Sequence, residues 1–367
     1  MVLVCKSSTG RIGLRPDYPM KIFVSIAAYR EPELQLTIDS LFNNADNPTN
    51  LHIGVVQQCV RAERLDFSTN PHITDIWMKA QHAQGAGYAR AHAQRMYNGE
   101  DFFLQIDSHT RVEPHWDTEL IKMYSDASTA TGNPKIILSQ FPAPYIHEGG
   151  EDIDVFDPLY PFEPQKQLLH WSKKKVWTAL RIPFNDPRRG LPEESETVLA
   201  GFIFAPGSIV VEVPYDPEIS FFGEELCFAI RAWTRGYRIY SPNEMVIKHF
   251  YKRKGHHKVW DAKNNAAKKW GGLEKISMDK QAAIYNGTLS GIWGASSRDK
   301  LNDYFSFVGQ DVAKIYNEFY SNREAMAETH KEADIFPEGI SLSMSIRCMD
   351  EEHHKCGVEQ CECPCHK

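Results

Sequence analysis

The sequence predicts an α/β fold in which a largely parallel β-sheet is covered by helices. From residue 21 to residue 106, short apolar runs alternate with segments of helical spacing, in the order strand, helix, strand, strand, helix, strand. Polar residues follow the first and the last of these runs directly. Sheets of this class bind ligands at the carboxyl ends of their strands, so these polar residues are candidates for a site.

The first apolar run, Lys21 to Ala28 (KIFVSIAA), is brief and partly β-branched, which favours a buried strand over a helix. A helix is expected to open at Arg30, because Pro32 suits a first turn and apolar residues recur at helical spacing after it. Further strands are expected over 51–57, 73–78 and 101–106, and a helix over 85–97.

The second half of the chain is less regular. We expect long loops or a lid over 141–196, a stretch rich in proline, acidic and aromatic residues, with one strand near 176–182. Order is expected to return over 198–213, and a helix over 224–235 should stop at Gly236, since glycine favours the position after a helix. Short strands at 237–240 and 245–249 and a helical region over 260–330 complete the series.

The composition excludes several classes of function. The formal net charge is −7, from 41 basic and 48 acidic residues, which argues against nucleic acid as a partner. No run approaches the roughly 20 apolar residues of a membrane span, and the first 20 residues lack the apolar segment of a signal peptide. We therefore expect a soluble, cytoplasmic protein.

The sharpest candidate for chemistry is Asp107-Ser108-His109, directly after the strand at 101–106. In a turn that leaves a strand, the first and third residues can point to the same side, and one carboxylate with one imidazole suits Mn²⁺ or another divalent cation. An ordinary turn is the alternative, because aspartate and serine are common turn residues.

Support for a metal site comes from His249, which ends the apolar run MVIKH and begins a basic stretch that reaches Lys258 without an acidic residue. Fixed cations beside a metal would stabilise the charge that a diphosphate gains when it leaves, so the stretch suits a phosphate clamp. The alternative is a solvated surface run.

Two more elements complete the candidate set. Gly201, within Ala200-Gly201-Phe202, would allow a ligand to approach the backbone closely. Glu224 and Glu225 are paired acids at the start of a predicted helix. They would either stabilise the helix N-terminus or contact the hydroxyls of a sugar or an acceptor.

Six segments, taken in this order along the chain, resemble GT-A nucleotide-sugar glycosyltransferases: AAYRE, GAGYARAHAQ, FLQIDSHTRVEPHW, LAGFIFAPGS, FFGEELCFAIRAWTRGYRI and IKHFYKRKGHH. The closer likeness is to the retaining, cytoplasmic hydroxyproline/polypeptide N-acetylglucosaminyltransferases, and the more distant one to the polypeptide N-acetylgalactosaminyltransferases. The resemblance covers roughly residues 20–260. It implies a Rossmann-like mixed sheet flanked by helices and a metal-dependent transfer of a sugar, N-acetylglucosamine above all, from UDP to a hydroxyl of a protein or glycan, with retention.

The resemblance also implies a role for each matching residue. Asp107, His109 and His249 would bind Mn²⁺ together with the diphosphate of UDP, and Arg253 and Lys254 would hold that diphosphate. The other residues implied to contact the donor are Ala28, Tyr29 and Glu31 near uridine, Arg90 at the nucleotide or sugar, and Ala200 and Gly201 at the sugar.

Glu224 and Glu225 would lie where donor and acceptor meet. In a retaining mechanism the departing phosphate oxygen could take the acceptor proton, so no protein base is required. If the enzyme instead inverts, one of these two acids becomes the natural general base. The acceptor stays open, and two other functions compete: a nucleotide-sugar or glycan-binding protein without turnover, and a nucleotidyl- or phosphotransferase.

The sequence divides into an N-terminal extension (1–19), a GT-A domain (20–330) and an acidic tail (331–367). The last 37 residues cannot form the lectin domain of the polypeptide N-acetylgalactosaminyltransferases, which favours the cytoplasmic group. The residues of the tail that would form a structural Zn²⁺ site are Cys348, Cys356, Cys361, Cys363, Cys365 and His366. A thiol-rich tail without metal is the alternative, because zinc ligands normally have two or more residues between them.

Overall fold

A computed structural model describes residues 20–148, 151–154, 163–172, 176–185, 190–251, 256–259 and 267–329. The strands are β1 (Ile22–Tyr29), β2 (Leu51–Cys59), β3 (Ile73–Lys79), β4 (Phe102–Asp107), β5 (Thr110–Val112), β6 (Ile136–Leu138), β7 (Ala143–Glu148), β8 (Glu151–Asp154), β9 (Gln165–Trp171), β10 (Trp177–Pro183), β11 (Glu193–Ser195), β12 (Phe202–Pro206), β13 (Arg238–Ser241) and β14 (Ile247–His249). The α-helices are α1 (Leu34–Asn43), α2 (Ala86–Gln94), α3 (Trp116–Thr131), α4 (Ile209–Glu212), α5 (Glu224–Thr234), α6 (Ala267–Tyr285), α7 (Arg298–Val308) and α8 (Val312–Thr329).

Eight strands form the central sheet, in the order β11-β13-β6-β12-β4-β1-β2-β3. Strand β1 runs parallel to both β2 and β4, with Ile22 opposite Leu51 and Phe102, whereas β12 runs antiparallel to β4. The mixed sheet confirms the predicted fold class. Because β1 and β4 are parallel neighbours, the residues that follow their carboxyl ends meet at one edge of the sheet.

Helix α1 lies against one face of this sheet and buries Leu34, Ile38 and Leu41 in its core. Their spacing of three and four residues is the reason that this segment is helical. The helix begins four residues later than expected from the sequence. Arg30 has a left-handed backbone (φ 46°), and Glu31 accepts a hydrogen bond from the backbone N–H of Glu33 (3.3 Å), so a turn precedes the first helical residue.

The region 141–196 contains more regular structure than the expected loops or lid. Strand β10 matches the predicted strand, but β7, β8, β9 and β11 were not predicted. Strands β9 and β10 pair as an antiparallel two-stranded sheet, and β7 and β8 join β5 and β14 in a four-stranded sheet. These strands depend on partners far away in the chain, which the pattern of one short segment does not reveal.

The site described below lies within the compact unit that ends at Glu318, and a second unit begins at Phe319. No helix in the described part of the chain is both long enough and apolar enough to cross a membrane. The N-terminal extension and the cysteine-rich tail lie outside the described residues, so the predicted Zn²⁺ site does as well.

Candidate metal centre

Asp107, His109 and His249 converge at the carboxyl edge of the central sheet. One ligand atom from each lies within 4.8 Å of the others. Nε2 of His249 is 3.1 Å from Oδ2 of Asp107, and Nε2 of His109 is 4.0 Å from the same oxygen. The two histidines are largely buried and Asp107 is 27% exposed, so a ligand can reach the cluster from the aspartate side.

Strand pairing explains why these residues meet. Asp107 ends β4, and β5 begins three residues later and pairs antiparallel with β14, with Thr110 opposite His249. The backbone N–H of Phe250 also donates to the carbonyl oxygen of His109 (3.1 Å). The two imidazole rings therefore meet edge to face, with centroids 4.5 Å apart.

The donor set fits a divalent cation of the Mn²⁺ type. It combines one carboxylate oxygen with two imidazole nitrogens, and such mixed oxygen and nitrogen sites suit first-row divalent metals. Burial opposes the ionisation of Asp107, but the hydrogen bond from His249 and the charge of Arg90 outweigh it and hold the pKa of this carboxyl well below its usual range. The aspartate is therefore a carboxylate at neutral pH and can serve as a ligand.

Arg90 links Asp107 to Glu224. It extends from α2, is 5% exposed, and donates from Nη2 to Oδ1 of Asp107 (2.8 Å) and from Nη1 to Oε1 of Glu224 (2.6 Å). Its guanidinium also lies 5.5 Å from the ring centroid of Tyr215. A buried cation is costly without partners, so this double pairing fixes the two acids relative to each other.

Close packing of α2 places Arg90. A Cβ at Gly85 would overlap the backbone of Ser220, and one at Gly87 would overlap the carbonyl oxygen of Ile219. Gly85 also has a φ of 105°, and the N–H of the residue after it donates to the carbonyl of Ser220 (2.8 Å). The two glycines therefore let the start of α2 approach the loop that precedes α5, the helix of Glu224.

Glu224 and Glu225 occupy the first turn of α5 and differ in their contacts. Burial raises the pKa of Glu224 to about 7, against the opposing charge of Arg90. Burial also raises the pKa of Glu225, whose Oε1 accepts a hydrogen bond from the backbone N–H of Ala200 (2.8 Å). A carboxyl group that titrates near neutrality can exchange protons or hydrogen-bond in either state, which makes Glu224 the stronger candidate for a role in chemistry.

Ala200 and Gly201 lie beside the cluster, immediately before β12. A Cβ added at Gly201 would lie 3.0 Å from Oδ2 of Asp107, so the glycine leaves the space next to that carboxylate open. The Nε2 of Gln105 donates to the carbonyl of Ala200 (2.8 Å) and holds this segment against β4.

The structure places Glu31 against two histidines. Its side chain is 2% exposed, and its two oxygens lie 3.0 Å from Nδ1 of His109 and 3.3 Å from Nδ1 of His256. Its role near uridine stays a prediction. Ala28 is buried in the core at the end of β1, and Tyr29 packs against Ala83 and Val259.

Two residues predicted for the site lie outside what the structure describes, and one residue that contacts the turn of the cluster was not predicted from the sequence. Arg253 and Lys254 fall outside the described residues. Thr37 was missed: its buried hydroxyl contacts the turn between β4 and β5. A signal existed, because Thr37 is a polar residue beside Ile38 on the otherwise apolar buried face of α1.

The chain is similar to one family profile and to several solved structures. A family profile described as Glycosyltransferase (GlcNAc) matches residues 21–69 and 58–305, and no curated protein matches the chain. Solved structures similar to it include GalNAc-T7 with UDP, GalNAc and Mn²⁺ (16% identity, 88% of this chain and 59% of that chain, TM-score 0.51). A second is Staphylococcus aureus TarS 1–349 with UDP-GlcNAc (15% identity, 78% of this chain and 73% of that chain, TM-score 0.42). A third is the mannosyltransferase PcManGT from Pyrobaculum calidifontis with GDP-Man and Mn²⁺ (12% identity, 88% of this chain and 78% of that chain, TM-score 0.44).

The chain thus spans 59% of the length of GalNAc-T7. At 16% identity this likeness shows the fold, which is the GT-A fold expected from the sequence.

Proposed function

We propose a function for this chain from the premise that it belongs to the GlcNAc glycosyltransferase family, whose profile matches residues 21–69 and 58–305. We infer that it is a metal-dependent glycosyltransferase that moves N-acetylglucosamine from UDP to a hydroxyl of a protein or glycan. The observation that carries the proposal is the convergence of Asp107, His109 and His249 at the carboxyl edge of the sheet.

Two findings support UDP-N-acetylglucosamine as the donor. The family description supports N-acetylglucosamine as the sugar. The GalNAc-T7 structure, which holds UDP, GalNAc and Mn²⁺ on the same fold, supports UDP as the carrier and Mn²⁺ as the metal. Asp107, His109 and His249 would hold the cation, which would act as a Lewis acid on the diphosphate.

The protein's own groups then position the donor. Arg90 is charged, buried and already paired with two acids. It therefore holds the carboxylate of Asp107 in place for a cation without needing to reorganise. Gly201 leaves room beside Asp107 for part of the donor. Glu224 is linked to Asp107 through Arg90, and with a pKa of about 7 it would accept a hydrogen bond from a sugar or acceptor hydroxyl or donate one to it.

We propose that the reaction retains the anomeric configuration, because the likeness in sequence is to retaining enzymes. In that mechanism the leaving phosphate oxygen takes the proton of the acceptor hydroxyl as the new glycosidic bond forms. An inverting reaction would instead require a base, and Glu224 would supply it. The anomeric configuration of the product, read from its NMR coupling constant, distinguishes the two.

The test of the proposed function is an assay of UDP release from a panel of UDP-sugars, with Mn²⁺ or with EDTA, and with peptides that carry serine, threonine or hydroxyproline as acceptors. We expect UDP release from UDP-N-acetylglucosamine that requires Mn²⁺ and rises with an acceptor. Release of UMP in place of UDP would indicate a phosphotransferase, and release of pyrophosphate in a parallel assay with UTP and a sugar 1-phosphate would indicate a nucleotidyltransferase. Donor binding without release would indicate a binding protein.

Two further parts of the proposal have their own tests. The cytoplasmic location stays a prediction, which cell fractionation can check. The Zn²⁺ site of the tail also stays a prediction, and it would give one equivalent of zinc per chain by elemental analysis, lost when residues 345–367 are deleted.

A further inference from the structure

We propose that Thr37, on α1, is a positioning residue that fixes His109 as a metal ligand. Thr37 lies on an element that contributes no ligand to the cluster, and its side chain touches neither imidazole ring in any contact that the described residues show. The inference rests on the metal site of the proposed function.

The hydroxyl of Thr37 holds the peptide groups on both sides of His109. It donates to the carbonyl oxygen of Ser108 (2.9 Å) and accepts from the backbone N–H of Thr110 (3.1 Å). The first group belongs to the peptide bond that precedes the Cα of His109, and the second to the peptide bond that follows it. Fixing both planes fixes the two backbone torsions of His109, and with them the direction of its Cα–Cβ bond.

Other bonds complete this frame from the strand side. Thr110 donates from its hydroxyl to the carbonyl of Asp107 (2.7 Å), and the carbonyl of His109 accepts from the N–H of Phe250 (3.1 Å). Those bonds tie the ligand turn to strands that themselves carry ligands. Thr37 instead joins the ligand turn to α1, a helix packed on the core. Because the core is closely packed, this contact holds the turn in a fixed position.

A hydroxyl is required because it donates and accepts at the same time. Thr37 is 1% exposed, so water cannot replace it without a rearrangement. A valine has the same shape but would leave one buried carbonyl and one buried N–H without a partner, and both peptide groups would turn to find new ones. Groups that orient metal ligands typically contribute about 10- to 100-fold to metal affinity.

Ser40 provides a matched control on the same helix. Its hydroxyl accepts from the backbone N–H of Val112 (3.0 Å), at the far end of β5. The bond is of the same kind and joins the same two elements, but it lies beyond the ligand turn. Loss of this bond should destabilise the contact of α1 with β5 without turning His109.

The experiment compares the wild-type chain with Thr37→Val, Thr37→Ser and Ser40→Ala. Mn²⁺ is the probe, its affinity is read from the EPR signal of the free ion without any donor sugar, and the stability of each metal-free protein is read from its Tm. We expect Thr37→Val to weaken Mn²⁺ binding by about 10-fold or more. Thr37→Ser should restore binding to near the wild-type value, and Ser40→Ala should lower Tm while binding Mn²⁺ like the wild type.

Wild-type affinity in Thr37→Val would overturn the inference and leave the metal site standing. Equal weakening in Ser40→Ala would also overturn it, since the effect would then be one of general stability. Absence of Mn²⁺ binding in the wild type would overturn the metal site itself and the inference with it. If Thr37→Val does not fold, Thr37→Ala, which leaves space for a water molecule, is judged by the same criteria.

Discussion

Asp107 is the residue on which the proposed chemistry depends most. Its two carboxylate oxygens have different partners: Oδ1 accepts from Arg90, and Oδ2 faces both histidines. The arginine therefore orients the carboxylate through one oxygen and leaves the other directed at the candidate cation position.

We predict that Asp107→Asn lowers Mn²⁺-dependent UDP release on the order of 100-fold or more, because the amide keeps the shape but loses the charge that a cation requires. Steady-state assays with saturating donor measure this. Asp101→Asn is the control, since Asp101 lies before the other end of β4, where its carboxylate accepts from the backbone N–H of Lys21 (2.9 Å). Turnover within tenfold of the wild type in Asp107→Asn would exclude a ligand role.

The raised pKa of Glu224 should make the stability of the protein depend on pH. Its pKa is about 7 in the folded protein and near 4.5 in an unfolded chain, so the folded state binds the proton more tightly. The contribution of this group is fully present below pH 4.5 and is lost as the pH rises to about 7. We expect the free energy of unfolding of the wild type, minus that of Glu224→Gln, to fall by on the order of 3 kcal/mol between pH 4.5 and pH 8.

Urea denaturation of the two proteins across that range measures the difference, and the subtraction cancels groups that the substitution leaves unchanged. A difference that stays constant with pH would show that Glu224 titrates normally. A difference that rises with pH would show that the charge of Arg90 dominates over burial.

At the scale of elements, the junction of α2 with the loop before α5 brings Arg90 to Glu224. We predict that Gly87→Ala destabilises the protein by about 1–3 kcal/mol, because the new methyl group would overlap the carbonyl oxygen of Ile219. Activity should fall as well, since α2 must shift and carries Arg90 with it. Urea denaturation and the UDP-release assay test both effects.

Gly272→Ala is the matched control for that substitution. Gly272 is also helical, within α6, but a Cβ there meets nothing within 4 Å. Alanine should therefore stabilise the protein by about 0.5–1 kcal/mol through its helix propensity. Equal effects of the two substitutions would show that the contact with Ile219 has no energetic importance.

The elements also show what a single sequence can predict. The strands of the central sheet near β1 and β4, and α5 with its stop at Gly236, follow from local patterns and match the structure. Helix α3 was missed although it carries readable signals: acids at Asp117 and Glu119 in its first turn and Gly132 after its last residue. Strands β7 to β9 had no comparable signal, because distant partners stabilise them.

For the site, the types and positions of Asp107, His109 and His249 were sufficient to nominate them, since each follows or ends an apolar strand. Thr37 and Glu31 could not be assigned their contacts in this way. Each acts on His109 from more than 70 residues away, and that proximity exists only after α1 has packed on the sheet.

At the scale of the whole molecule, the cluster joins two sheets: Asp107 ends a strand of the central sheet, and His249 lies in the four-stranded sheet. A cation that binds the folded state alone stabilises it by mass action. We predict that Mn²⁺ at 100 times its Kd raises the free energy of unfolding by about 2.7 kcal/mol. Asp107→Asn should remove this gain and Asp101→Asn should keep it, as measured by denaturation with Mn²⁺ and with EDTA.

The pairing of β5 with β14 sets the position of His249, so a change in its register would change the metal site. Adjacent side chains of a strand point in opposite directions, so a slip of β14 by a single position would turn His249 away from Asp107. In one direction of slip, the amine of Lys248 would take its place. The ion pairs of Lys248 oppose such a shift, because its ammonium contacts Glu113 (2.5 Å) and Asp154 (2.8 Å) on the opposite face of the strand. Two acids outside the Asp107, His109 and His249 cluster thereby contribute to the alignment of its ligands.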